Sequence, residues 1–185
     1  MAKRRKKRSL GFFFFSGFLF ILIMFMVISK ENEREVVDRK REYLDNTTYL
    51  AVQTANNFGL FPSVVLAQSA LESNFGNSEL SNVNNNYFGI KRGSSKNYVD
   101  YNTTEYIEGQ AKTLSASFRS YKTKSESFED YARLITGAKR YKSVKKARSY
   151  QEACNALQSS GYATDPRYAE KIISIIERYE LYNLD

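Results

Sequence analysis

The 185-residue sequence contains no histidine, no tryptophan, one cysteine and two prolines. Without an imidazole there is no Ser-His-Asp triad, and zinc hydrolysis loses its commonest ligand. A catalytic thiol would also lack its usual base. Cys154, beside Ala153 and Ala156 in the helical stretch Tyr150 to Ser159, therefore reads as a small buried apolar residue. One cysteine excludes an intramolecular disulfide. The chemistry left to this chain runs on carboxylates, hydroxyls and amides, and no metal or other cofactor is expected.

Charge is unevenly spread. The formal net charge is +8, but residues Ala2 to Arg8 hold six Lys and Arg and no acid. The remainder is close to balanced, so nucleic-acid binding is not implied. After this basic tail (1–9), Leu10 to Ser29 carries no charge and contains seven of the thirteen Phe. Twenty apolar residues at ~1.5 Å rise reach about 30 Å, the thickness of a bilayer core. A buried core helix would keep a polar face, and this run has none. It ends in Val27-Ile28-Ser29-Lys30-Glu31 without a small-x-small cleavage pattern. The segment 10–29 is therefore expected to be an uncleaved transmembrane signal-anchor. The basic tail then stays cytoplasmic and can touch anionic lipid, while the C-terminal bulk lies outside the cell membrane.

Residues 30–45 hold six acids and five bases, with Glu31/Glu35 and Glu35/Arg39 at helical spacing. They read as a short helical stalk. Residues 46–185 are long enough for one core. Helices dominate there. One is expected over Thr47 to Asn57, capped by Asn46 or Thr47 and followed by Gly59. A second opens at Pro62 and continues through Gln68, Leu71 and Glu72. A third spans Ser127 to Thr136, and a last follows Asp165-Pro166 with Tyr168, Ile172, Ile175, Ile176 and Tyr179 as its apolar stripe. Between them, Tyr98 to Tyr121 alternates in the manner of strands. Glu108-Gly109-Gln110 makes a turn between Thr103–Ile107 and Lys112–Phe118. The expected fold class is α+β, mainly α: a lysozyme-like helical body with a small β-hairpin lobe, preceded by one transmembrane helix.

Two carboxylates fit that layout. Glycoside cleavage needs an acid for the leaving oxygen and a second group to handle water or the oxocarbenium ion. Glu72 lies near the end of its helix, four residues after Gln68, so both share a face. Apolar neighbours Val64, Leu71 and Phe75 would raise its pKa toward what a general acid needs. Glu105 on the hairpin is the second candidate, with Glu108 in the turn as the fallback. Read by spacing alone, each is also compatible with an ordinary surface carboxylate.

The segment Pro62 to Gly76 (PSVVLAQSALESNFG) resembles the catalytic helix of the glucosaminidase family of peptidoglycan hydrolases, glycoside hydrolase family 73. Asn85 to Lys91 (NNYFGIK), Thr103 to Tyr106 (TTEY), Ala116 to Tyr121 (ASFRSY) and Gly161 to Ile172 (GYATDPRYAEKI) resemble further blocks of that family, in family order. The likeness is to small, N-terminally anchored Gram-positive members. It implies Glu72 as catalytic acid, Glu105 as second catalytic group, and Tyr162 as a cleft residue supporting catalysis. Gln68 belongs to the same Gln-x-x-x-Glu-Ser element. Asn86, Tyr87 and Phe88 match the groove floor. Phe75 stands where the family usually has Trp, which offers a sugar ring less area.

The resemblance implies a β-N-acetylglucosaminidase acting on peptidoglycan glycan strands outside the membrane. Two alternatives stand beside it. One is a lysozyme-like muramidase or lytic transglycosylase cutting the other bond, separable by product reducing ends. The other is a non-catalytic wall-binding module, against which the presence of both carboxylates speaks. A tethered hydrolase needs restraint, which leaves room for a regulatory membrane protein that the sequence does not name. Nor does it distinguish endo from exo cleavage, or inverting from retaining or substrate-assisted chemistry.

Overall fold

The computed structural model describes residues 10–107 and 110–185, with the side chains of residues 10–23, 25–27, 103–107 and 110–114 excepted. The basic tail thus lies outside the described residues, and of the apolar segment expected to anchor the chain the backbone is described but most side chains are not. Among those described, no helix is long and apolar enough to cross a membrane.

The chain divides into two units, residues 1–40 and 41–185. In the first, helix α1 (Leu10–Phe58) begins, and the charged stretch after residue 30 is helical, as its i,i+4 pattern predicts. The same helix runs on into the second unit without a start at Asn46. No Pro or Gly occurs in it between Phe18 and Phe58, and Thr47 is fully buried within it. The compact unit consequently begins at Arg41 rather than Asn46, because Tyr43 and Leu44 belong to its core. Their burial is hidden in the sequence by the charges around them.

The second unit is α+β and mainly helical. Helix α2 (Pro62–Glu72) is its axis: every residue from Pro62 to Ala70 is buried. A helix buried on all sides needs no amphipathic stripe, and α2 shows none. Pro62 starts it at the position where a missing N–H costs nothing. Asp185 closes that end, its carboxylate accepting from the Ser63 N–H at 2.9 Å and the Ser63 hydroxyl at 2.7 Å. Short helix α3 (Glu79–Asn84) follows, capped by Ser78.

Helices α4 (Lys124–Gly137), α5 (Tyr150–Ser159) and α6 (Tyr168–Arg178) pack around α2. The caps of α4 and α5 share one device. Thr123 and Ser149 accept from the N–H of Glu126 and Glu152, and each Glu accepts in return from the residue before the cap. This is a capping-box arrangement shifted by one residue. Cys154 is fully buried in α5, and burial pushes its thiol up to about 12.

Strands β1 (Tyr98–Ile107) and β2 (Gln110–Arg119) form an antiparallel ribbon with Tyr101 opposite Ala116 and Glu105 opposite Lys112. Gln110 pairs with Ile107, so it belongs to the strand and not to a three-residue turn. A two-residue connection suits the twist of a hairpin better. The base of the ribbon is fixed to the helices. The Arg119 guanidinium donates to both oxygens of Asp130 in α4, and the Tyr121 hydroxyl donates to the same carboxylate. Asn84 in α3 donates to the Tyr101 hydroxyl at 3.0 Å.

Candidate active site

Glu72 is the last residue of α2, where the buried helix emerges. After Ser73, residues Asn74, Phe75 and Gly76 all have positive φ, between 50° and 75°. This left-handed run turns the chain sharply, with the Phe75 N–H donating back to the Ala70 carbonyl at 2.7 Å. The turn needs glycine at 76, since an added Cβ there would lie 2.8 Å from the Tyr43 ring. Glu72 is left with its carboxyl at the helix end and its stem in the core.

A line of buried polar groups stands behind that carboxyl. The Tyr131 hydroxyl donates to Gln68 Oε1. Gln68 Nε2 donates to the Tyr168 hydroxyl at 2.8 Å, and Tyr168 donates to Glu72 Oε1 at 2.6 Å. Gln68 is fully buried, so the i,i+4 relation seen in the sequence operates through Tyr168 rather than on a substrate. Burial raises the Glu72 pKa above its ordinary value, and the Tyr168 hydrogen bond works against it. Desolvation is the larger cause, which favours a protonated carboxyl. Because Oε1 accepts from Tyr168, the acidic hydrogen belongs on Oε2.

That oxygen faces the loop of the NNYFGIK segment. A Cβ at Gly89 (φ +62°) would stand 3.5 Å from Glu72 Oε2, so the glycine keeps the space before the acid open. Asn86 shapes this loop from inside. It is 1% exposed, and its amide donates to the carbonyls of Ile90 and Arg119 and accepts from the N–H groups of Phe88 and Ile90. All its polar capacity is spent on holding the loop. Phe88 is equally buried and stacks on Tyr131 with centroids 4.0 Å apart. Asn86 and Phe88 thus support the groove from beneath.

Tyr162 is partly exposed, donates to the Phe88 carbonyl at 2.9 Å and stacks on Tyr168 at 5.7 Å. It links the GYATDP turn to the loop facing Glu72. Burial raises its pKa well above the ordinary tyrosine value, so it is a neutral donor. Tyr87 is half-buried, stacked on Tyr43 with the Lys124 ammonium 4.8 Å from its ring centre. Phe75 packs edge-on against Tyr43 and Tyr179. In the ribbon, Glu105 occupies the same face as Tyr101 by strand alternation. Its side chain, like the whole of Glu108, lies outside the described residues.

Tyr168, Tyr131 and Gly89 are functional residues that the sequence reading did not single out. Tyr168 sat in an apolar stripe and so read as core. Its place in the Gly161 to Ile172 block was the one available signal. Among the described residues, no group of three or more Asp, Glu or Cys could hold a metal ion.

Residues 48–181 match the Glucosaminidase family, described as mannosyl-glycoprotein endo-beta-N-acetylglucosaminidase. The exo-glucosaminidase LytG of Bacillus subtilis (strain 168) is 39% identical over 195 residues, covering 99% of this chain and 69% of LytG. The peptidoglycan hydrolase FlgJ of Escherichia coli (strain K12) is 37% identical over 144 residues, 75% of this chain and 46% of FlgJ. The chain therefore spans less than half the length of FlgJ. Among solved structures, the catalytic domain of the autolysin Auto from Listeria monocytogenes has a TM-score of 0.69 and 30% identity, over 84% of this chain and 97% of that domain. The matched residues include the Glu72 helix end, the hairpin, Tyr162 and Tyr168. A buried carboxyl backed by tyrosine, on a helical body with one hairpin, is thus embedded in a match running nearly the length of the compact unit: the chain belongs to the glucosaminidase family of peptidoglycan hydrolases.

Proposed function

We propose that the chain is a membrane-anchored β-N-acetylglucosaminidase that hydrolyses N-acetylglucosaminyl β-1,4 bonds in peptidoglycan glycan strands on the outer side of the membrane. The observation that carries this reading is the Glu72 carboxyl, raised in pKa by burial and oriented by Tyr168 with Oε2 toward the open side of Gly89. Glu72 gives its proton to the leaving glycosidic oxygen. A second group, Glu105 or the substrate's own 2-acetamido oxygen, meets the developing charge or activates water. Tyr162, whose hydroxyl hydrogen is given to the Phe88 carbonyl, holds the loop that faces the acid and leaves its oxygen to accept from the sugar.

The family description says endo and the name of LytG says exo. The LytG likeness extends over 99% of this chain, so exo cleavage from strand ends is the mode we favour. The anchor rests on the basic tail and the uncharged run 10–29. It places the enzyme against the wall and makes a regulatory membrane partner chemically reasonable.

The test is mass spectrometry of muropeptides released from purified sacculi by the full-length chain in detergent. Reducing-end N-acetylglucosamine, released as single disaccharide-peptides from the earliest time points, is the expected product. Reducing-end muramic acid, or its 1,6-anhydro form, would instead indicate a muramidase or a lytic transglycosylase. Release of no sugar at all would leave a wall-binding module. Protease protection of the N-terminus, with cleavage from outside in the C-terminal unit, checks the topology. A soluble form starting near Lys30 would overturn the anchor and leave the enzyme reading intact.

A further inference from the structure

A second recess adjoins the catalytic loop. It has a volume of about 220 Å³ and is lined in part by Gly89, Lys91, Arg119, Arg140, Tyr141 and Tyr162. Three of these are cations, and no carboxylate is among the described residues that line it. Two of its members, Gly89 and Tyr162, are shared with the surroundings of Glu72.

The cations are held in place rather than left to wander. The Arg140 guanidinium lies 4.6 Å from the Tyr141 ring centre and donates to the Tyr141 hydroxyl. Lys91 sits 4.3 Å from the Phe118 ring centre. In Arg119, Nη1 makes both bonds to Asp130, while Nη2 is turned to Gly93, another residue of the wall, where an added Cβ would come within 3.4 Å of it. Fixed guanidinium donors at a concave surface match a planar carboxylate.

The glycan backbone of the proposed substrate is uncharged sugar, and its carboxylates hang from muramic acid. A carboxylate bound here would therefore sit on a sugar next to the bond presented to Glu72. Resting on the reading of the substrate given above, the geometry points to this recess as a subsite for a muramic-acid-borne carboxylate, that of the peptide stem, or that of the lactyl group where the stem has been removed. Occupancy fixes the register of the strand, so that the acid meets the glucosaminyl bond and not the muramyl one. Substrate charge is read beside the reacting carboxyl, through the shared residues Gly89 and Tyr162.

The experiment compares kcat/KM of the full-length chain on three forms of purified, teichoic-acid-free glycan strands. These are native strands, strands whose carboxylates have been converted to methylamides, and strands stripped of peptide by an amidase, which carry the free lactyl carboxylate. Wild type is expected to cleave native strands about tenfold faster than methylamidated ones, the scale of one charge-assisted hydrogen bond. Arg140→Gln and Lys91→Gln each shrink that ratio, and together they bring it near one while the methylamidated rate stays put. In native strands the lactyl carboxyl is amide-bonded to the stem, so the native-to-methylamidated ratio reads a stem carboxylate. Stripped strands cut as fast as native ones show that a freed lactyl carboxylate can take its place. Stripped strands cut as slowly as methylamidated ones show that only the stem carboxylate reaches the recess. Equal wild-type rates on native and methylamidated strands would overturn the subsite. So would variants that lose both rates alike. Failure of wild type to cut any of the three would instead strike the substrate reading itself.

Discussion

Tyr168 donates its phenolic hydrogen to Glu72 Oε1 at 2.6 Å, joining two residues 96 positions apart in the chain. The bond ties the end of α2 to the start of α6 and decides which carboxyl oxygen carries the proton. It also opposes the desolvation that raises the Glu72 pKa. Removing it has a sign that can be worked out. In Tyr168→Phe the carboxyl loses a donor that favours its ionised form, so its pKa rises further. The alkaline limb of the kcat profile, set by loss of the acid's proton, moves to higher pH. The rate at its optimum falls about tenfold, the scale of a hydrogen bond to a charged group. Buried Gln68 Nε2 is left without its acceptor, at a cost of about 1–3 kcal/mol. An unmoved pH profile beside a lower melting temperature would reduce Tyr168 to packing.

Glu72→Gln separates catalysis from stability. The amide can still accept from Tyr168 but has no proton to give. Turnover is expected to fall by ~10²–10⁴-fold, the usual contribution of general acid catalysis. Stability moves the other way. The folded-state pKa of Glu72 lies above its unfolded value, so the fold binds more protons than the unfolded chain between the two. Stability linked to this group is complete below the unfolded pKa and is lost as pH rises through the folded one. Glutamine carries no such penalty. The melting temperature of Glu72→Gln minus that of wild type should therefore grow from acid to neutral pH. A difference that stays flat with pH would mean that the carboxyl is not desolvated.

The left-handed turn after Glu72 is tested at its glycine. Gly76→Ala asks a β-carbon to adopt φ +75° and places it 2.8 Å from the Tyr43 ring. Left-handed backbone and an overfilled contact together cost roughly 2–4 kcal/mol. Denaturant unfolding should show this as a lower midpoint with an unchanged slope. Shrinking the ring relieves the contact, so Tyr43→Leu combined with Gly76→Ala should cost less than the two single changes summed. Strict additivity would mean that the backbone, and not the ring, demands glycine.

Much of this site was legible in the sequence because its elements carry local signals. Pro62 announces α2, the Ile172–Ile176–Tyr179 stripe announces α6, and alternation announces the ribbon. Glu72 followed from family-like spacing on α2. What stayed hidden is tertiary. Nothing local distinguishes Tyr168, whose hydroxyl meets Glu72, from a neighbouring core aromatic. Asn86 reads as a polar groove residue, yet it spends its amide on the loop backbone, because only the fold shows which carbonyls surround it. The run of α1 through Asn46 was hidden by a cap residue with no break beside it. Six-residue α3 was too short to show a period, although Ser78 was there to cap it.

The second carboxylate is the last test. Register places Glu105 on the ribbon face of Tyr101, and Tyr101 meets Asn84 of the helical body. If Glu105 activates water, the two carboxyls must leave room for it, about 6.5–9.5 Å apart; direct attack on the sugar would need about 5–5.5 Å. A crystal structure of Glu72→Gln with a bound glycan fragment should show the longer spacing. Glu105→Gln is expected to slow turnover, but less than Glu72→Gln does, because the substrate's 2-acetamido oxygen can take over part of the task. Glu108→Gln should stay near wild-type rate. A dead Glu108→Gln enzyme beside a fully active Glu105→Gln one would transfer the role to Glu108. A short spacing with a trapped glycosyl-enzyme would replace water activation by covalent attack.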